Sequence, residues 1–431
     1  MEVAYSILIG TCFIMSSIAN ILQANDIVKE CFALLIVLLN IFIVLVCIYK
    51  ESNGNKTICV TLIISFILRI LFLLLDLYGR NIFILPSSGN DTEMFHAGAL
   101  TFPNFTFEKN PYAYVVGIIY SFALKQRLIG QYFNLLFSMS TISICIKIFD
   151  EFKIDDKVKI LVISIIAFLP NYMITSVILL RESLMIFLLS ASLLNFVRWW
   201  KYNRIYNFIF SILLVLASST FHSGVIANAA GYIITFILCN NKERKFRFTF
   251  KSIILLFVFS IILSIFFSGD SNLFMSKFGK IEELEDITYR SEIAVSGDAA
   301  YNVGGNVISI VEFIKNSPIK IFYFLTSPLP WEWRGINDVI SFVFSSLFFI
   351  ICYVYALKSL KKVNYNNSGF IKVCLILAFI SAFIFSWGTS NAGTAMRHRD
   401  KFLVNYIVML ALSLDCIRKN ELRKVNFNGK L

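Results

Sequence analysis

"YAYVVGIIYSFALK", residues 112–125, decides how this chain is threaded through a membrane. A bilayer core of about 30 Å takes roughly 20 residues of helix, so this stretch is short for a crossing. It is amphipathic enough to lie along the surface or re-enter instead. Around it run longer apolar segments, near 3–23, 31–49, 57–78, 132–149, 160–179, 183–200, 205–221, 223–239, 250–267, 338–357, 370–388 and 402–417. The composition agrees: 58% of residues are hydrophobic, only 15% are charged, and 44 of 431 are Phe. Such a chain is too apolar for a soluble globular protein. Residues 3–23 read as a first span and not as a cleavable signal sequence, being too long for a signal core and lacking a small-residue cleavage site.

Charge settles the status of 112–125. Lys153, Lys157 and Lys159 form one basic loop, and Arg198, Lys201 and Arg204 a second. Lys242, Arg244, Lys245, Arg247 and Lys251 form a third, Lys358, Lys361 and Lys362 a fourth, and the tail from Arg418 a fifth. If 112–125 does not cross, all five fall on the cytoplasmic side, as the positive-inside rule requires. If it crosses, the loop at 150–159 conflicts with the later ones. The expectation is therefore an all-α, polytopic integral membrane protein with about 12 transmembrane helices, both termini inside, and 112–125 as an outer juxtamembrane helix. Residues 1–431 form a single transmembrane domain, with outer loops at 79–131, 268–337 and 389–401. The net charge of +12 is read as topological and not as nucleic-acid binding. Nine scattered Cys show no CxxC and no metal-ligand spacing, and read as small hydrophobes.

That threading collects the polar chemistry on one face. His96, His222 and His398, the three histidines, all fall outside, with Asp91, Glu93, Arg181, Glu182, Arg290, Arg334, Arg397 and Arg399. The stretch "GTAMRHRDKF", residues 393–402, puts Arg397, Arg399 and Lys401 where the positive-inside rule disfavours them. An anion at the outer leaflet would compensate. Arginine suits phosphate through its planar two-pronged fork, so Arg397 and Arg399, with His398 between them, would clamp a diphosphate. The plainer alternative is a solvated loop whose charges meet lipid phosphates.

"VILLRESLMIF", residues 177–187, exposes Arg181 and Glu182 at an outer turn, where they bind an anion or pair with neighbours. "SSTFHSGV", residues 218–225, sets His222 among small residues that would let a lipid-linked group approach closely. In "PSSGNDTEMFHAG", residues 86–98, Asp91 or Glu93 can act as general base toward a hydroxyl, unless they are ordinary loop acids. Arg69 lies mid-span, with Asp76 seven residues on as its expected partner. Walker A, GxGxxG, GxSxG and HExxH motifs are absent.

"LLRESLMIFLLSASLL", the basic turn "RWWKYNR" and the span end "FHSGVI" resemble EpsG/Wzy-type membrane proteins of bacterial surface polysaccharide synthesis. The closing "GTAMRHRDKFLVNYIVML" is similar to the Arg-bearing outer loop before the last span of many repeat-unit polymerases. "GNDTEMFH" and "NPYAYVVGIIYSF" resemble the acidic first external loop of lipid-dependent glycosyltransferases of the GT-C architecture. The matching stretches cover roughly 86–225 and 388–417.

The resemblance implies a GT-C-like polysaccharide polymerase for O-antigen, capsule or exopolysaccharide at the outer face of the bacterial cytoplasmic membrane. It would transfer an undecaprenyl-diphosphate-linked glycan onto a lipid-linked repeat unit, with undecaprenyl diphosphate as leaving group, so no nucleotide or other cofactor is expected, and no ligand cluster in the sequence argues for a metal. Arg397, Arg399 and Arg181 would bind the diphosphate and stabilise its developing charge, assisted by His222 and His398. Asp91 or Glu93 would deprotonate or orient the acceptor. A chain-length regulator and a flippase are the implied partners. Three rival readings remain: a GT-C transferase using a polyprenyl-phosphate sugar; a lipid-linked oligosaccharide flippase, which usually shows internal repeats; and a non-enzymatic membrane component or O-acyltransferase, the latter expected to set a His deep in its spans, unlike His222.

Overall fold

The computed structural model describes residues 1–240, 245–246, 249–250, 252–255, 299–301, 303, 310–362 and 365–428. Most of the expected span 250–267, most of the outer loop 268–337, and Arg290 lie outside the described residues. The chain packs as two compact units, residues 1–147 with 159–187, and residues 148–158 with 188–431.

Among the described residues, seven helices are long and apolar enough to cross a membrane. They are α1 (Glu2–Ile21), α2 (Asp26–Glu51), α3 (Lys56–Tyr78), α6 (Arg127–Phe152), α9 (Glu182–Tyr202), α13 (Ile336–Leu360) and α14 (Ser368–Trp387). Residues 111–122 form a helix of 12 residues, α5 (Pro111–Phe122), which is not among the seven. The expected spans 205–221 and 223–239 are shorter than their apolar runs. They form α10 (Ile205–Ser219) and, after a 3₁₀ turn, α11 (Ala227–Leu238). The expected span 160–179 is two pieces, α7 (Asp156–Phe168) and α8 (Pro170–Thr175), because Pro170 has no N–H to continue the ladder. The remaining helices are α4 (Asn90–Leu100), α12 (Ile310–Thr326), α15 (Ala392–Asp400) and α16 (Leu403–Asn428). Residues 239–240 and 245–246 pair as a minimal antiparallel ladder.

Asparagine starts several of these helices, its side-chain oxygen accepting an otherwise unpaired N–H of the first turn. Asn25 accepts from Val28 at 3.0 Å, Asn55 from Ile58 at 3.1 Å, and Asn110 from Ala113 at 3.2 Å. Asn391 takes two, from Gly393 at 2.9 Å and Thr394 at 3.2 Å, and so turns the expected loop 389–401 into helix α15. The nine cysteines are free, and seven are buried.

In the first unit α1 is largely uncovered, with 22% of its most apolar window buried. It is tied by buried Asn40, whose side chain donates to the Ala4 carbonyl at 3.0 Å and accepts from Tyr132 at 2.8 Å. Such polar ties hold helices together where lipid removes most of the hydrophobic drive.

Arg69, fully buried in α3, does not meet Asp76. Its Nη1 donates to the Ala167 carbonyl at 2.9 Å and to Ser65, and its Nε reaches Ser138 and Ser176, each at 3.1 Å. Ala167 lies just before the break at Pro170, where carbonyls lose helical partners and the helix end is negative. A cation is well matched to that end. Asp76 lies seven residues from Arg69, about 10 Å along the helix axis, too far for a direct ion pair.

In the second unit α11 lies close to α14, because Gly231 leaves room for Leu377: a Cβ there would sit 2.5 Å from its Cδ2. Buried Asn405 of α16 donates to Asn228 of α11 at 2.9 Å, and the Phe196 and Tyr232 rings stack at 4.1 Å.

Candidate functional site

Each unit carries a polar cluster. In the first unit it lies in the segment joining α3 to α6. Helices α4 and α5 pack as a hairpin: Phe95 meets Tyr112 edge-on at 4.9 Å, and Gly117 leaves space filled by Phe102. Glu93, on α4, receives hydrogen bonds from both Arg80 and Arg127. Burial pushes its carboxyl up, but the bonds from Arg127 and then Arg80 outweigh this and hold it below its ordinary value. Fully buried Asp76 accepts from Gln131 at 2.6 Å and from Ser88, and Arg127 Nη2 stands 3.5 Å from its Oδ2. Two arginines and two carboxylates therefore close on each other.

Glu93 is thus engaged as an ion-pair partner, which lowers its basicity. Asp91, two residues away, is exposed on the same helix. His96 bonds through Nδ1 to the Tyr120 hydroxyl at 3.0 Å. Burial, then the charge of Arg127, lowers its imidazole below the usual value, with Glu93 opposing. Arg181 is half-buried just before α9, and Glu182 beside it is buried. The turn that leads to them is held by Asn134, which donates to the carbonyls of Ile178 and Leu180, both at 2.8 Å.

In the second unit the structure brings two predicted residues together. His222, at the turn after α10, and His398, on α15, lie edge to face with ring centroids 4.9 Å apart. Phe385 of α14 packs against both, 5.2 Å from His222 and 4.8 Å from His398. His222 Nδ1 accepts from the Gly224 N–H at 3.2 Å, which puts the proton of the neutral ring on Nε2. His398 Nδ1 shares a hydrogen bond with Thr389 at 2.9 Å. Both rings and the neighbouring Arg397 are partly exposed. The room expected around Gly224 for a lipid-linked group is taken by Phe385: a Cβ there would lie 2.5 Å from its Cζ.

Arg399 does not join them. It is 1% exposed, and its guanidinium donates to three backbone carbonyls: Phe324 at 3.0 Å, Leu325 at 2.7 Å and Ser327 at 2.8 Å. These are the open acceptors at the end of α12, so Arg399 closes a helix terminus. Burial lowers it to about 10, with Asp400 opposing, so it remains a cation. Because α15 is a helix, residues two apart point about 200° from each other, and Arg397 and Arg399 cannot grip one diphosphate together. Arg334 is likewise occupied, forked onto Asp338 at 2.9 and 3.0 Å.

Sequence reasoning missed Arg80, Arg127, Thr389 and Phe385. The signal that singled out 389–401, basic residues on the disfavoured side, was equally present at Arg80 and Arg127, near the two ends of the loop 79–131. No group of three or more His, Cys, Asp or Glu that could hold a metal occurs among the described residues. No family model, curated protein or solved structure matches this chain.

Proposed function

We propose that this chain is a membrane glycosyltransferase acting on polyprenyl-diphosphate-linked glycans, and specifically a repeat-unit polymerase of bacterial surface polysaccharide. The observation that carries the reading is the partly exposed trio of His222, Arg397 and His398 at one end of apolar helices. Imidazole N–H groups and a guanidinium fork suit a diphosphate at a membrane boundary, where hydrogen bonds to developing negative charge are worth most.

In this reading the acceptor hydroxyl oxygen bonds to the anomeric carbon as the carbon–oxygen bond to undecaprenyl diphosphate breaks. The diphosphate leaves with the electron pair, its charge met by Arg397 and the two imidazoles. Arg181 is a further anion ligand in the proposal. Arg399 serves by fixing the position of α15 and does not touch the substrate. The proposal keeps Asp91 or Glu93 of α4 as the acceptor of the hydroxyl proton, and the hydrogen bonds from Arg80 and Arg127 lower the basicity of Glu93. Twelve spans, an outward-facing site in the bacterial cytoplasmic membrane, and a flippase and chain-length regulator as partners complete the proposal.

The test is the length distribution of surface glycan in a deletion strain complemented with wild type, Arg397→Ala or Asp91→Asn. Collapse of the ladder to a single repeat unit, not restored by Arg397→Ala, is the expected result. Failure of Asp91→Asn as well would identify the base. Long chains that lack one sugar in the deletion strain would replace the polymerase by a transferase using a polyprenyl-phosphate sugar.

A further inference from the structure

We propose that the cleft at the turn between α9 and α10 binds the phosphate of an anionic phospholipid headgroup, with an acyl chain lying along α10. The proposal is independent of the proposed function, since it involves neither His222 nor α15.

The cleft has a volume of about 450 Å³ and is lined from both sides of the hairpin. Helix α9 contributes Arg198 and Tyr202, and the first turn of α10, with the residue before it, contributes Arg204, Tyr206 and Asn207. The turn is made by Asn203, whose φ of +54° lies in the left-handed region that Asn tolerates. Its N–H closes α9 on the Trp199 carbonyl at 2.8 Å.

Cations outnumber acids at this cleft. Glu151 is the one carboxylate bonded to its side chains among the described residues. It takes the Tyr202 hydroxyl at 2.7 Å, Arg198 at 3.5 Å and, beside the cleft, Lys201 at 3.5 Å. Arg204 has no carboxylate partner among the described residues. It donates to the Tyr206 hydroxyl at 3.0 Å and lies over the Tyr202 ring at 5.9 Å, and its charge remains available. Two phenols and an amide, Asn207, complete a set of donors suited to phosphate oxygens.

A second observation selects a lipid over a free anion. Ile205, Ile209, Phe210 and Leu213 are exposed by 55%, 51%, 55% and 52%. They recur at helical spacing and make an apolar stripe that leads from the cleft along α10. Tyr202 and Tyr206 sit at its head, 52% and 49% exposed, in the place aromatic residues take at a membrane–water boundary. A phosphate with a hydrocarbon tail matches both parts, whereas inorganic phosphate matches only the first.

The test uses the purified full-length chain in mixed micelles of phosphatidylglycerol and phosphatidylcholine, with bound lipid counted by native mass spectrometry. Phosphatidylglycerol should be retained in preference to phosphatidylcholine. Each of Arg198→Ala and Arg204→Ala should weaken it about fivefold, equivalent to ~1 kcal/mol of attraction per arginine at an anionic surface. Arg204→Lys should keep most of the binding and Lys50→Ala all of it. Leu213→Asn should weaken phosphatidylglycerol without changing the response to inorganic phosphate. Equal retention of the two lipids, or an Arg204→Ala protein that binds as wild type does, would overturn the proposal. Displacement of the lipid by millimolar phosphate, together with no effect of Leu213→Asn, would overturn it in favour of a free-phosphate site. A melting curve of Arg204→Ala in phosphatidylcholine checks the fold; if it shifts, the Arg204→Lys comparison decides.

Discussion

Replacing Arg399 by alanine should unfold the second unit far more readily than replacing Arg397, although the two are separated by one residue. The Arg399 guanidinium makes three charged hydrogen bonds, of 3.0, 2.7 and 2.8 Å, to carbonyls that end α12. Alanine would remove a charged donor from all three carbonyls, leaving Ser327 its bond from the Ser346 hydroxyl, in a site where Arg399 itself is 1% exposed. A charge-assisted hydrogen bond contributes roughly 1.5–3 kcal/mol, and the three are not additive, so the expected loss is ~3–6 kcal/mol. That is a large part of the roughly 5–15 kcal/mol that holds a typical protein folded. It corresponds to a fall in midpoint of roughly 10–20 °C for a unit of this size. The assay heats the detergent-solubilised protein and follows the monodisperse peak by size-exclusion chromatography. Arg397→Ala, at a half-exposed position, should melt within about 2 °C of wild type, as surface changes usually do. An Arg399→Ala protein that melts with wild type and loses only activity would refute the reasoning and restore Arg399 as a substrate ligand.

Three further outcomes follow from the same geometry. Gly224→Ala should push the Phe385 ring away, costing ~1–3 kcal/mol of stability, and should lower glycan polymerisation as well by disturbing both imidazoles; thermal shift and glycan ladder read the two effects separately. Glu93, held below its ordinary value against burial by Arg127 and Arg80, should contribute stability at neutral pH. That contribution is lost as pH falls below the usual carboxylate range of about 4, and Glu93→Gln should melt with a flatter profile there. Lowered by burial and then by Arg127, with Glu93 opposing, His96 should remain neutral as pH falls below about 6.5. Acid should therefore destabilise wild type from about pH 6.5 downward, His96→Asn should flatten that slope, and imidazole nitrogen shifts report the protonation directly.

The membrane character was legible because it rests on run length alone, and residues 2–78 show it plainly as three helices. Breaks were less legible. Pro170 announced one, but nothing local said that Arg69, a hundred residues earlier, would satisfy the carbonyl beside it. The Arg69–Asp76 pairing failed because a shared helix face is not proximity: an interval of seven residues is about two turns. Asp76 found Gln131 and Arg127 on a different helix. At residues 393–402 the charges were visible and their conformation was not. Asn391 caps a helix there, and helical geometry then separates Arg397 from Arg399, one toward solvent and the other onto α12. His222 and His398, 176 positions apart in the sequence, meet in a contact that periodicity cannot encode.

The arginine that closes α12 also sets a schedule for biogenesis. The carbonyls of Phe324, Leu325 and Ser327 leave the ribosome some seventy residues before their donor, as the separations of 75, 74 and 72 positions require. Until α15 emerges, a nascent chain lacks the Arg399 donor for these three carbonyls, and the Ser346 hydroxyl reaches Ser327 alone of them, at 2.8 Å, among the described residues. Membrane quality control recognises such unsatisfied segments, so a chain cut before residue 392 should be degraded even though α12, α13 and α14 are complete. Supplying the segment from residue 389 onward as a separate polypeptide should rescue it, and only when that fragment carries Arg399.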